Sequence, residues 1–145
     1  MKVSTKGRYA LRVMIELAQS DSEEYIPLKA ISEHQEISMK YLEMIVAILQ
    51  KAGVVHSLRG KSGGYRLAKP PGEYTVGSIL KLTEGSLSPV ACLEQEENTC
   101  SRSGQCATLP MWKTLDKLID DYLESVTIQD LVLQKNEIIG HDYNI

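Results

Sequence analysis

The stretch from Ser38 to Leu67 limits the possible folds of this chain more than any other. Ser38 is a residue type that caps helix N-termini, because its hydroxyl accepts from an otherwise unpaired backbone N–H. After it Leu42, Ile45, Val46 and Leu49 recur at the spacing of one helical face, leaving Met39, Lys40, Glu43 and Gln50 on other faces. Ala52-Gly53 ends that helix. Val54, Val55 and Leu58 then form an apolar strand, Arg59-Gly60-Lys61-Ser62-Gly63-Gly64 a turn, and Tyr65-Arg66-Leu67 a returning strand. A helix with one packing side and one free side, followed by a hairpin with a basic tip, outlines a winged helix-turn-helix.

The preceding residues complete that motif. Ala10, Val13, Met14, Leu17 and Ala18 predict an amphipathic first helix ending near Ser20, with Lys6, Arg8 and Arg12 at its start as candidate phosphate contacts. Asp21 to Tyr25 reads as a polar loop. Ile26-Pro27 opens a second helix through Leu28, Ala30 and Ile31 to about Gln35, and a break at Glu36-Ile37 leads into the capped helix. Two short helices joined by a tight turn match the motif whose second helix enters the DNA major groove.

Each candidate reader on that second helix and its wing also has a plain surface role. Glu43 is unfavourable near a polyanion unless it accepts from a cytosine amino group, and otherwise pairs with a neighbouring lysine. Lys40 can reach phosphate or guanine, and Tyr41 can contact phosphate or pack. Ser38, Gly60 and Lys61 belong to the same candidate surface, and Arg59 at the wing tip suits a narrow minor groove. Gly60, Gly63 and Gly64 are expected wherever the turn needs positive φ.

Charge supports this division. Residues 1–85 hold 12 Lys/Arg against 9 Asp/Glu, while residues 86–145 hold 4 against 10. A basic front half can approach phosphate while an acidic back half faces solvent or a partner. The charged start, Met1-Lys2-Val3-Ser4-Thr5-Lys6, does not read as a signal peptide, and no apolar run approaches the roughly 20 residues that cross a bilayer. A cytoplasmic protein with no membrane partner is expected. Three cysteines, an odd number, do not suit a secreted disulfide framework.

Downstream, Lys69-Pro70-Pro71-Gly72 stops the strand, and Thr75 caps a helix through Val76, Ile79, Leu80 and Leu82 that Gly85 terminates. Ser86 to Gln105 lacks periodicity, is acidic, and leads to Cys106; with Cys92 and Cys100 this places every cysteine of the chain within 15 residues. The gaps of seven and five residues disfavour structural zinc, whereas iron-sulfur clusters accept looser loops of thiolates. After Pro110 a long helix runs from about Met111 to Ser125. Met111, Leu115, Leu118 and Tyr122 form one stripe, and Trp112, Ile119 and Leu123 a second beside it. Two stripes exceed the need of one small core and predict pairing with a second subunit. Thr127-Ile128-Gln129-Asp130 reads as a capping-box-like start to a short helix through Leu131 and Leu133. The expected fold is mainly α with a small β wing. Its parts are a winged helix-turn-helix (1–85), a cysteine-bearing sensor loop (86–108), and a long C-terminal dimerisation helix with its tail (109–145).

Three segments carry a family resemblance: Ser4-Thr5-Lys6-Gly7-Arg8-Tyr9-Ala10, Ile37-Ser38-Met39-Lys40-Tyr41-Leu42-Glu43, and Gly53-Val54-Val55 through Arg59-Gly60 to Gly63-Gly64-Tyr65. They resemble the IscR, NsrR and CymR regulators of bacteria, the Rrf-two family, over nearly the whole chain. The resemblance implies a homodimer that recognises double-stranded DNA operators through the helix bearing Glu43 and the wing bearing Arg59. It also implies that Cys92, Cys100 and Cys106 stand where cluster-binding members hold an iron-sulfur cluster, 2Fe-2S being favoured over 4Fe-4S. IscR-type proteins take a histidine three residues after the last cysteine as fourth ligand, and this chain has Leu109 there. The nitric-oxide-sensing branch uses an acid near the start of the first helix, where Arg8 stands. The fourth ligand is therefore unassigned among Glu94, Glu96, Glu97, solvent or a small thiol.

Three functions follow. The first is a dimeric regulator switched by a cluster. The second is a CymR-like regulator of cysteine metabolism switched by thiol redox or by a sulfur-metabolism protein partner. Oxidation needs low-pKa thiolates, and Glu94, Glu96 and Glu97 argue against these. The third is a winged helix used for protein contacts. His34, His56 and His141 lie on different elements and no Ser/His/Asp arrangement stands out, so an enzyme is not expected.

Overall fold

The computed structural model describes residues 2–21 and 23–143; Ser22 of the expected polar loop and the last two residues of the tail lie outside them. Its helices are α1 (Thr5–Ala18), α2 (Leu28–Gln35), α3 (Met39–Lys51), α4 (Val76–Glu84), α5 (Leu109–Ser125) and α6 (Ile128–Tyr143). Strands β1 (Val55–Leu58) and β2 (Gly64–Leu67) pair antiparallel, with Val55 opposite Leu67 and Leu58 opposite Gly64. The fold is the expected one, mainly helical with a small wing.

Local chemistry sets the helix ends. Ser4, Ser38 and Thr75 each accept from a backbone N–H three residues on, and so cap α1, α3 and α4. Thr127 and Asp130 form a reciprocal capping box: Asp130 N–H donates to the Thr127 hydroxyl at 3.0 Å, and Thr127 N–H to the Asp130 carboxylate at 2.9 Å. The turn between α2 and α3 is closed by Glu36 in the left-handed region (φ 54°), a conformation costing a residue with a side chain about 1–2 kcal/mol. The Ser32 carbonyl accepts from Ile37 N–H at 3.2 Å, and the Ser32 hydroxyl donates to the Ile37 carbonyl at 2.6 Å. These bonds hold the tight turn in place.

The core gathers around α1. Ala10, Val13, Met14 and Leu17 are buried with Ile31, Leu42, Ile45, Val46, Leu49, Val55, Ile79 and Ile128. Burying each large aliphatic side chain is worth roughly 1.5–3 kcal/mol. Tyr74 is buried beside them and its hydroxyl donates to the Val54 carbonyl at 3.1 Å. A satellite cluster of Val76, Leu80 and Leu87 receives Ile119 and Leu123 from α5.

Pro27 opens α2 as expected, as its N-cap, and three points differ from expectation. Ile26 belongs to the wing: it forms an isolated bridge with Tyr65, exchanging N–H···O bonds of 2.8 and 2.9 Å. The wing thus has a third edge. Gly63 is required by close approach rather than positive φ, since a Cβ there would run into the Leu58 carbonyl. The last helix is not short. It runs on to Tyr143 because nothing after its capping box interrupts it, and its first turns pack on α1 through Ile128 and Leu131. Among the described residues no helix is long and apolar enough to cross a membrane.

Gly64 carries the third wing edge, because a Cβ there would meet the backbone of Ile26 and Pro27. Only backbone movement relieves that clash, so Gly64→Ala should cost about 1–3 kcal/mol in denaturant titration. Gly104→Ala, which meets nothing within 4 Å, should stay within about 0.5 kcal/mol of the parent. Equal stabilities of the two variants would show that the Ile26 bridge does not position the wing.

Candidate nucleic-acid interface and cysteine loop

The outer face of α3, at Glu43 and Gln50, and the wing meet at one open groove of about 420 Å³, lined also by Ser57, Leu58, Arg59 and Gly60. The buried stripe Leu42, Ile45, Val46 and Leu49 turns the opposite face of α3 outward, so Lys40 and Glu43 are exposed. Gln50 ties helix to wing by donating to the Ser57 hydroxyl at 2.8 Å. Glu43 and Arg59, seventeen positions apart counting both ends, therefore share one concavity. Neither has an ion-pair partner among the described residues, so the expected plain role of Glu43, pairing with a lysine, is not observed. Gly60 adopts φ 110°, which lets the tip turn beside the exposed Arg59 and Lys61.

The other candidates divide. The Ser38 hydroxyl oxygen accepts from Tyr41 N–H at 3.2 Å, yet its own proton remains available to a phosphate. Tyr41 packs partly on the core, its ring edge-on to Tyr9 with centroids 5.5 Å apart. Arg8 is exposed and donates to the Thr5 hydroxyl at 3.0 Å, whereas Lys6 is half-buried. Arg12 turns inward: it stacks on Tyr9 and donates to the side chain and backbone carbonyl of Gln35. Gln50 and Ser57 were not singled out as a pair by sequence, because their hydrogen bond depends on the angle between helix and hairpin.

The cysteines lie on an irregular segment holding two short 3₁₀ turns, Ala91–Leu93 and Ser103–Gln105. Cys92 and Cys106 are half-buried, Cys100 is exposed, and all three are free thiols. The Cys106 sulfur lies 3.3 Å from the Thr108 hydroxyl. That contact, aided by the Thr108 and Leu109 N–H groups at the start of α5, holds the thiol below its usual range. The expectation that Glu94, Glu96 and Glu97 argue against low-pKa thiolates is not met at Cys106, where the Thr108 hydroxyl and the adjoining backbone N–H groups lower the pKa.

The donor chemistry fits an iron-sulfur cluster. Three thiols share one solvent-accessible loop, and the Nδ2 donor of Asn98, between Cys92 and Cys100, is buried without a hydrogen-bond partner. A donor in that state suits a sulfur acceptor. The geometry is not preformed, since among the described residues no three His, Cys, Asp or Glu groups converge as a metal site. Leu109, at the place of a histidine ligand, is buried at the start of α5.

Behind the loop, α5 presents two stripes. Ile119 and Leu123 pack inward on Val76, Leu80 and Leu87. Met111, Leu115, Leu118 and Tyr122 face outward, Leu118 and Tyr122 being 62% and 67% exposed. On its flank Lys81 donates to Asp120 at 2.6 Å and Glu124 at 3.0 Å, and these two bonds raise the ammonium pKa, Asp120 contributing most.

The family model of Rrf2, described as an iron-dependent transcriptional regulator, matches residues 3–134. The chain is similar to the HTH-type transcriptional regulator CymR of Bacillus subtilis, 41% identical over 131 residues covering 90% of this chain and 89% of the relative. The solved structure of CymR, the global cysteine regulator of B. subtilis, superposes with a TM-score of 0.76 at 39% identity, over 92% of this chain and 98% of that one. IscR of Vibrio campbellii is 35% identical over 139 residues, 96% of this chain and 81% of the relative. The structure of T. potens IscR matches with a TM-score of 0.74 at 38% identity, covering 95% and 90% of the two chains. With a family model spanning most of its length and this winged-helix architecture, the chain belongs to the Rrf2 family of transcriptional regulators.

Proposed function

We propose that the protein is a homodimeric DNA-binding repressor or activator whose cysteine loop binds an iron-sulfur cluster and thereby tunes operator affinity. The observation that carries the DNA reading is the single groove uniting Glu43 with Arg59. In the major groove, Glu43 accepts from a cytosine amino group while Lys40 meets phosphate or guanine. Arg59, at the wing tip, enters the adjacent minor groove, with Lys61, Ser38 and Arg8 contacting the backbone. Lys6, half-buried, approaches phosphate through its ammonium end. The outward stripe of α5 pairs with its copy, an occupant that suits an exposed apolar row of Met111, Leu115, Leu118 and Tyr122. The pairing gives two reading heads for a two-fold symmetric site.

Cys92, Cys100 and Cys106 would hold the cluster, which when bound supplies a redox-sensitive, iron-dependent charge and crosslink at the loop. Asn98, whose Nδ2 donor is buried without a partner, would be free to donate to a sulfur there. Cys106 stands three residues before Leu109 of α5, so a change of conformation at its thiol would act next to the start of the dimer helix. A difference of about 1.4 kcal/mol between the two states changes operator occupancy tenfold. A second reading, a thiol switch, is favoured by the contact of the Cys106 sulfur with the Thr108 hydroxyl at 3.3 Å, which with the neighbouring backbone N–H groups lowers the thiol pKa. Reversible oxidation of that thiolate, or a protein partner, would then switch a CymR-like regulator of cysteine metabolism without a metal.

Duplexes selected by the protein from a randomised pool test the DNA surface. Glu43→Ala should relax the choice of one base pair per half-site at a cost of about 1–3 kcal/mol, and Arg59→Ala should weaken binding and lower the salt slope by about 1. Folded variants that select and hold the same duplexes as the parent would overturn the assignment. Iron and sulfide analysis of protein purified without oxygen tests the switch: both elements should co-purify and be lost in Cys92→Ala. Iron-free protein whose Cys106 alkylates first, at a pH below that for ordinary thiols and later in Thr108→Val, would replace the cluster by the thiol switch.

A further inference from the structure

We infer that Arg12 is a positioning residue for α3, acting from inside the protein and not as a phosphate contact. The inference rests on the DNA-binding reading above. Arg12 leaves the basic start of α1 and donates through Nε to the Gln35 side-chain oxygen at 3.0 Å and through Nη2 to the Gln35 backbone carbonyl. Gln35 is the last residue of α2, so the guanidinium charge sits at the negative end of that helix and satisfies a carbonyl the helix leaves open. It also grips the residue just before Glu36, whose left-handed conformation makes the turn into α3.

Two further contacts extend the brace. Glu16, one turn along α1 from Arg12, accepts from Gln35 Nε2 at 2.7 Å and meets His34 Nδ1 at 2.6 Å. The Arg12 guanidinium lies 5.0 Å from the Tyr9 ring centroid, and Tyr9 meets Tyr41 edge-on at 75°. Tyr41 is the residue whose N–H is capped by Ser38, two positions before Glu43. Arg12 therefore fixes both ends of one joint: the end of α2 through hydrogen bonds, and the first turn of α3 through the Tyr9 ring and its edge-on contact with Tyr41. Lysine cannot replace it, because one ammonium point charge reproduces neither the forked bonds nor the planar stack.

The two roles for Arg12 differ in salt dependence, since a phosphate contact releases counterions and a brace does not. Binding of Arg12→Ala, Arg12→Lys and Gln35→Leu to the duplex selected by the parent is measured against ionic strength, with an unrelated duplex as reference. Both Arg12 variants should bind the selected duplex roughly tenfold more weakly, the loss of about one base contact, with an unchanged salt slope and unchanged binding to the unrelated duplex. Gln35→Leu should act in the same direction, and adding it to Arg12→Ala should cost less than the separate effects combined. Rescue by Arg12→Lys, a slope reduced by about 0.9, or an equal loss on both duplexes would overturn the inference in favour of a phosphate contact. Parent-like binding by Arg12→Ala would overturn it as well. Should the parent select no duplex at all, the DNA-binding reading itself fails, an outcome the variants cannot imitate.

Discussion

Burial of one face of α1 is the constraint on which the rest of the structure depends. Ala10, Val13, Met14 and Leu17 are almost wholly removed from water, and α3, α4, α6 and the wing converge on that surface. Close approach is made possible at Gly7, where a side chain would collide with Glu84 and Thr83 of α4. The Glu84 carboxylate in turn accepts from the hydroxyl of Ser4 at 2.5 Å and from its N–H at 3.1 Å, fixing the cap of α1. Thus the segment Ser4 to Ala10, outwardly a basic helix start, serves mainly to seat α1 on α4. Its cationic side chains are what remains for DNA.

The same seating joins the acidic and basic halves of the chain. The linker between α5 and α6 lies along the entry to α4: Val76 N–H donates to the Val126 carbonyl at 2.8 Å, and Ile128 N–H to the Tyr74 carbonyl at 2.9 Å. Thr75 donates to Glu124 at 2.8 Å, and Lys81 bridges Asp120 and Glu124. Exposed ion pairs of this kind contribute little stability singly, but here they fix the direction in which α5 leaves the body. Cys106 adjoins α5, α5 packs on α4 and α4 on α1, so under the proposed function a loop event would have a contiguous path to the joint that carries α3.

Much of this was legible in the residue order, and the reasons are local. Ser38, Thr75 and the Thr127–Asp130 pair cap helices because a hydroxyl three residues from an unpaired N–H has a definite partner. The α3 stripe was readable because four apolar residues at helical spacing leave only one face for the core. What escaped reading depends on distant partners. Ile26 becomes a wing edge only because Tyr65 arrives beside it, forty residues on counting both ends. Ile128 joins the main core only because α5 brings the chain back to α1. Arg12 looked like its basic neighbours Lys6 and Arg8, and nothing in a sequence marks the Gln35 carbonyl as its destination. At the cysteines, residue type revealed the donor chemistry, while the lowered thiol at Cys106 depends on the Thr108 hydroxyl and the turn that presents it.

The central claim is that two copies, joined through the outward stripe of α5, place two α3–wing grooves on one duplex. Hydroxyl-radical footprinting of the selected duplex, for the parent and for Leu118→Glu, is its most direct measurement. Two protected patches separated by a whole number of helical turns, with the symmetric pair lost when Leu118 is charged, is the predicted result. One patch, or a pair that persists in a monomeric Leu118→Glu variant, would contradict it.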